Sequence, residues 1–110
     1  MELLTKLEEL ILLSVWNLKE NAYGSTIFKH ISEVTGKKLS LGGVYFPLER
    51  LTKKDYLNSF TGESNQERRG LSKRYYKLTE KGIAALNELN KVNSEMWKDY
   101  PGFSFSAEEN

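Results

Sequence analysis

Cationic side chains concentrate in one third of the sequence, although the net charge of all 110 residues is only +1. From Glu49 to Lys77 the chain carries eight cations and four carboxylates. Lys and Arg side chains clustered in this way attract phosphate groups, so the backbone of a nucleic acid is the first partner to consider. The cations predicted to contact a nucleic acid are Arg50, Lys53, Lys54, Arg68, Arg69, Lys73 and Arg74.

The first three of these cations belong to a predicted helix within residues 40–57. Ser40 is a suitable N-cap, because its hydroxyl can accept a hydrogen bond from a backbone N–H of the first turn. One face of this helix is apolar and is expected to be buried, through Leu41, Val44, Leu48 and Leu51. The opposite face is narrow at its beginning and cationic further along, and it consists of Gly42, Gly43, Phe46, Arg50 and Lys53.

A helix with a slim first turn can approach another backbone closely, and its free N–H groups favour a phosphate. These properties are typical of a recognition helix in the major groove of DNA, where Phe46 or Arg50 could reach base edges. The alternative is a half-buried amphipathic helix with a solvated basic face. Pro47 lies in the second turn, and we expect it to make the first turn irregular.

The sequence lacks the residue combinations of an enzyme or a metal site. There is no Cys, which excludes disulfides, thiolate ligands and a Cys nucleophile and suits a reducing cytoplasm. His30 is the only histidine and has no evident base, nucleophile or ligand partner. Gly42-Gly43 lacks the strand and spacing of a phosphate-binding loop. We therefore expect no enzymatic activity, no cofactor and no metal.

The other predicted elements determine where the cations lie. Apolar periodicity predicts helices over residues 3–20 and 26–35, and Ser25 is the expected cap of the second helix. Two strands within residues 56–61 and 71–78 are predicted to form an antiparallel hairpin with a long cationic loop. A loop of this length with Arg68 and Arg69 on it is expected to be functional, and a disordered, solvated tip is the alternative.

A last helix is predicted at about residues 80–98, with Thr79 as its cap. Three helices, a hairpin and a helix make a winged helix-turn-helix fold, which is α+β and mostly α. We expect one domain over residues 1–98, with the last helix as its C-terminal part, and a flexible tail at 99–110.

Two apolar surfaces exceed what such a domain needs for its core. The first helix carries a second apolar stripe, and the last helix stays apolar through its C-terminal half. Either another element of the same chain or a partner chain must cover these surfaces. The residues concerned are Leu12, Trp16, Leu89, Val92, Met96 and Trp97.

Short motifs follow one another in a recognisable order over about residues 3–89. They are Ala22-Tyr23-Gly24, Gly43-Val44-Tyr45, Leu48-Glu49-Arg50-Leu51, Lys54, Tyr56-Leu57, Glu67-Arg68-Arg69-Gly70, Lys73-Arg74-Tyr75-Tyr76, Leu78-Thr79 and Gly82. The ordered set resembles the PadR-like transcriptional regulators, specifically the short branch with a single C-terminal helix. Two positions depart from the family pattern. Phe46 stands where Pro is common, and Asp55 stands where Gly usually closes the helix, a position in which Asp can adopt the left-handed conformation at some cost.

The resemblance implies a homodimeric, sequence-specific DNA-binding repressor whose first and last helices form the dimer interface. It assigns both apolar surfaces to that interface. A small aromatic or cationic effector that binds near Trp16 and Trp97 would release the DNA, since an indole face stacks on planar ligands and attracts cations. Plain packing of the two indoles is the alternative.

In the implied complex the helix that begins at Ser40 enters the major groove, and the hairpin cations Arg68, Arg69, Lys73 and Arg74 lie over the flanking backbone or minor groove. Two-fold symmetry then predicts a roughly palindromic operator. The rival hypothesis is a protein-interaction module on the same scaffold, without specific DNA readout. The expected phosphate contacts are Tyr23, Tyr45, Lys53 and Lys54, with core packing as the alternative role of Tyr45.

Overall fold

The chain folds in the predicted order of three helices, a two-stranded hairpin and a fourth helix. The computed structural model describes residues 2–62 and 73–102. None of the helices in these two ranges is long and apolar enough to cross a membrane. The elements are α1 (Lys6–Leu18), a 3₁₀ turn (Lys19–Asn21), α2 (Gly24–Thr35), α3 (Leu41–Lys53), β1 (Leu57–Thr61), β2 (Arg74–Leu78) and α4 (Glu80–Trp97).

Two predicted helix starts and one predicted helix end are confirmed. The Ser40 hydroxyl accepts a hydrogen bond from the Gly43 N–H at 3.0 Å at the start of α3. The Thr79 hydroxyl accepts one from the Gly82 N–H at 2.9 Å at the start of α4. Asp55 follows α3 in the left-handed conformation, with φ of 70°. These local hydrogen bonds supply partners for backbone groups that a helix leaves unpaired at its ends.

Two local expectations are wrong. Helix α2 begins at Gly24 and is not capped by Ser25, because the Thr26 hydroxyl accepts from the backbone N–H three residues earlier at 3.0 Å. Helix α3 is regular from its first turn despite Pro47. The proline gives up one backbone hydrogen bond, but its ring is buried among apolar side chains.

Helix α1 lies at the centre of the core and contacts α2, α3, β2 and α4. Leu12 is fully buried there, so the prediction that it belongs to an uncovered stripe is wrong. Leu41 was expected on the buried face of α3, but it is 51% exposed because it lies at the very start of the helix. The buried apolar side chains of the core are Ile11, Leu12, Val15, Ala22, Ile27, Ile31, Val44, Leu48, Leu51, Tyr56, Leu57 and Tyr76.

Backbone hydrogen bonds join the hairpin to the connection between α1 and α2. Strands β1 and β2 pair antiparallel, with Leu57 opposite Leu78. The Tyr76 N–H donates to the Ala22 carbonyl at 2.9 Å, and Tyr75 forms a β-bridge with the residue that precedes α2. Residues 73–76 at the start of β2, called the hairpin root below, therefore have a fixed position beside the start of α2. The predicted loop cations Arg68 and Arg69 lie outside the described residues.

The start of α4 packs against the corner between α3 and β1. A Cβ at Gly82 would lie 2.3 Å from the backbone oxygen of Tyr56. The Thr79 hydroxyl donates to the Asp55 carbonyl at 2.6 Å at the same corner. Because the close neighbour of Gly82 is backbone, only a residue without a side chain fits there.

We expect Gly82→Ala to lower the free energy of unfolding by about 1–3 kcal/mol, because the added methyl group must displace the backbone of the α3–β1 corner. Gly42→Ala is the matched control, since a Cβ at Gly42 would make only an ordinary contact of 3.6 Å. Urea denaturation at equal protein concentration measures both variants. Equal stability of Gly82→Ala and the wild type would contradict this packing.

Candidate nucleic-acid interface

The exposed face of α3 contains four of the residues predicted to face DNA. Gly42, Gly43, Phe46 and Lys53 are all exposed, as expected for the side of the helix that faces away from the core. The helix begins at the Ser40 cap, and Gly42 and Gly43 add no side chain to its first turn. This end of α3 also bears the positive end of the helix dipole.

A groove of about 380 Å³ lies between the start of α2, α3 and the root of the hairpin. Tyr45 crosses this groove from α3 and rests on Gly24, where a Cβ would lie 2.3 Å from the Tyr45 hydroxyl oxygen. Tyr45 therefore both packs against α2 and keeps 41% of its surface exposed. Tyr23 lines the groove at the start of α2. The backbone of α2 can approach Tyr45 this closely because Gly24 has no side chain.

Both described cations of the hairpin root lie at this groove. The Lys73 ammonium is 3.9 Å from the centroid of the Tyr23 ring, and Tyr23 meets Tyr75 edge to face at 5.4 Å. The Arg74 guanidinium lies 4.0 Å from the Glu49 carboxylate on α3. These contacts hold Lys73 and Arg74 beside the start of α2, where the helix dipole is also positive. The groove thus combines two cations and the Glu49 carboxylate with phenol groups and a helix N-terminus.

Two other predicted cations are directed towards α1. Arg50 Nη2 lies 3.3 Å from Glu8 Oε2, and the Glu8 side chain is only 8% exposed. Lys54 Nζ lies 2.7 Å from Glu2 Oε2. The carboxylates near the start of α1 therefore neutralise both cations. Consequently Arg50 and Lys54 are held on the α1 side of α3, whereas Lys73 and Arg74 line the groove.

The charge state of the Lys54–Glu2 pair follows from its hydrogen bonds. The bond from Lys54 lowers the pKa of the Glu2 carboxyl, and the same bond raises the pKa of the Lys54 ammonium. Burial raises the pKa of the Tyr56 phenol, which donates to Glu2 at 2.9 Å. All three groups keep their ordinary charge at neutral pH. Since the ion pair is exposed, it contributes mainly to the position of Lys54 and little to stability.

The contacts of three acidic residues with these cations were not predicted from the sequence. These residues are Glu2, Glu8 and Glu49. The spacing Thr5-x-x-Glu8 before an apolar run is a capping-box signal, and the Glu8 carboxylate does accept from the Thr5 N–H at 2.8 Å. That signal would have placed Glu8 at the start of α1. No local pattern pairs it with Arg50, which follows 42 residues later.

A second, apolar groove of about 560 Å³ lies between the end of α1, the hairpin and the start of α4. Trp16, Phe60, Tyr75 and Ile83 line it. Trp16 is 55% exposed, which agrees with its predicted place on a surface that the core leaves open. Leu89, in contrast, is buried within the protomer, so it does not present an apolar side chain to a partner.

The C-terminal half of α4 has little contact with the rest of the chain. Asn93 is its last partly covered residue, and it donates to Glu9 in the first turn of α1 at 2.9 Å. Met96 and Trp97 lie beyond this point, and Trp97 is 64% exposed. Since Trp16 lies in the last turn of α1, the two indoles stand towards opposite ends of α1. One protomer therefore does not bring Trp16 and Trp97 into one pocket.

Comparison with known proteins agrees with this geometry. The chain is similar to the structure of a PadR-like transcription factor from Bacteroides fragilis, with 36% identity, a TM-score of 0.70 and 84% of each chain covered. It is also similar to a PadR family transcription regulator from hypervirulent Clostridium difficile R20291, with 28% identity, a TM-score of 0.66, and 86% of this chain and 92% of that chain covered.

A PadR-like transcriptional regulator from Bacillus cereus, at 24% identity, shares the fold with a TM-score of 0.69, over 88% of this chain and 93% of that chain. The comparison with curated proteins gave no match. The model of the transcriptional regulator PadR-like family matches residues 12–88, which is more than half of the chain. The chain therefore belongs to the PadR-like family, whose members are transcriptional regulators and not enzymes.

Proposed function

We propose that the chain is a homodimeric, sequence-specific DNA-binding repressor that acts in the cytoplasm. The observation that carries this proposal is the groove between α2, α3 and the hairpin root, which combines Lys73 and Arg74 with the start of a helix. The exposed first turns of α3 lie next to it. Cations and helix N-termini position a protein on phosphates, whereas an exposed helix face reads the bases.

In the proposed complex α3 enters the major groove with its Ser40 end first. Tyr23 and Tyr45 contribute phenol groups at the start of α2, and Lys73 and Arg74 hold the backbone beside them. Lys53 adds a phosphate contact from the last turn of α3. Arg50 and Lys54 then act mainly through α1, because each is paired with a carboxylate. The protein bound at its operator would block transcription.

Replacing Lys73 and Arg74 with Ala should weaken binding to every duplex, because phosphate contacts are independent of sequence. The slope of log K against log salt should become shallower by about 2, since each lost phosphate contact removes about 0.9. Fluorescence anisotropy with a labelled duplex between about 50 and 200 mM salt measures both effects.

The matched control is Lys91→Ala with Lys98→Ala, which removes the same charge from α4, away from the groove. Sedimentation must show that this control keeps the association state of the wild type. An unchanged slope for the Lys73 and Arg74 variant would contradict the assignment of the groove. A wild type that binds no duplex would favour a protein-interaction module instead.

Two features of the apolar surfaces support the homodimer. Helix α4 runs along α1 and continues past the first turn of α1. Val92, Met96 and Trp97 in this part of α4 are exposed. The apolar groove beside Trp16 lies near the other end of α1. In a two-fold pair the projecting end of each α4 reaches towards the α1–α4 side of the second copy. Each copy would thus cover apolar surface that the other leaves exposed.

Trp97→Ala should weaken the dimer by about 2 kcal/mol or more, since a buried interface Trp is commonly a hot spot. Sedimentation equilibrium at micromolar concentration measures the change in Kd. Phe46→Ala is the control, because it removes an equally exposed aromatic group from α3. Wild-type protein that sediments as a monomer would contradict this proposed interface. A Trp97→Ala dimer with the same Kd as the wild type would also contradict it.

We further propose that a planar aromatic or cationic effector binds near Trp16 and releases the DNA by favouring another arrangement of the two protomers. The groove beside Trp16 has the size of a small-molecule site and an apolar lining with aromatic rings. Methylene blue serves as a probe, and its binding is followed by isothermal titration calorimetry. Trp16→Ala should weaken binding about tenfold, whereas equal affinity of both proteins would place the effector elsewhere.

A further inference from the structure

The beginning of the exposed face of α3 is apolar. Phe46 is 72% exposed, and Gly42 and Gly43 on the same face have no side chain. The Phe46 ring folds back over Gly42, since a Cβ built there would be 3.6 Å from the ring carbon Cε2. The ring therefore lies towards the N-terminal end of α3. In the proposed function this end of the helix enters the major groove of the DNA.

Three polar side chains of the same helix have contacts elsewhere. The Tyr45 hydroxyl rests against Gly24, the Arg50 guanidinium pairs with Glu8, and the Glu49 carboxylate lies 4.0 Å from Arg74. At the start of α3 the side chain next to a base edge would be that of Phe46. Its ring has no hydrogen-bond donor or acceptor group.

An apolar side chain can distinguish base pairs through one group in the major groove, the C5-methyl of thymine. The N-terminal residues of a recognition helix are those that contact base edges. We propose that Phe46 binds thymine methyl groups and thereby gives the protein a preference for thymine at those positions. This inference rests on the proposed DNA-binding function, and it identifies what that interface reads.

The test begins with duplexes that the wild-type protein selects from a random library. Each selected duplex is then made with deoxyuridine in place of thymidine, which removes only the C5-methyl and keeps every hydrogen-bonding group. We expect the wild type to lose about fourfold in affinity for each methyl group that Phe46 covers, so a dimer with two half-sites loses about sixteenfold. Fluorescence anisotropy measures the ratio of the two affinities.

Phe46→Ala should bind the thymine and uracil duplexes with nearly equal affinity. Val34→Ala is the control, because Val34 is 67% exposed but lies on α2, and it should keep the wild-type ratio. Circular dichroism and thermal unfolding establish that Phe46→Ala is folded, and the deoxyuridine comparison on the wild type needs no variant.

Equal wild-type affinity for both duplexes would overturn the inference while DNA binding itself still stands. A Phe46→Ala protein that keeps the wild-type ratio would overturn the role of Phe46. Absence of binding to any duplex would overturn the proposed function and this inference together, so the two failures are distinguishable.

Discussion

The burial of α1 is the constraint on which the other elements depend. Ile11 and Leu12 are fully buried, and α2, α3, β2 and α4 all pack on this helix. Burying an aliphatic side chain of this size contributes about 1.5–3 kcal/mol, so each contact is a substantial part of the stability of a domain this small. Because α1 touches every other helix and one strand, it fixes the angle between α3 and the hairpin root. It also determines which part of α4 is supported and which part projects.

The chain at the start of α1 also determines which cations of the protein are paired with carboxylates. This segment pairs Glu8 with Arg50 and Glu2 with Lys54, so cations of the last turns of α3 are neutralised on that side. Lys73 and Arg74 lie at the groove beside the start of α2. A net charge of only +1 is thus compatible with a localised cationic surface. The base-reading part of the proposed interface is then apolar, and the phosphate-binding part is charged.

The sequence predicted the element order and the features with local causes, such as the caps at Ser40 and Thr79 and the left-handed Asp55. Each of these depends on residues a few positions apart. Prediction from the sequence failed where contacts between distant residues determine the burial or the pairing of a side chain. Periodicity showed that α1 has apolar side chains on two sides, but not that Leu12 is covered by the core. The pairing of Arg50 with Glu8 depends on packing between α1 and α3, and Arg68 and Arg69 lie outside the described residues.

The central claim is that two copies pair so that their α3 helices and hairpin roots lie along one side of a duplex. Hydroxyl-radical footprinting on a fragment selected from the source genome tests this most directly. The account predicts two protected patches on the same face of the DNA, about one helical turn apart and related by an approximate palindrome. A single protected patch, or two patches on opposite faces, would contradict it.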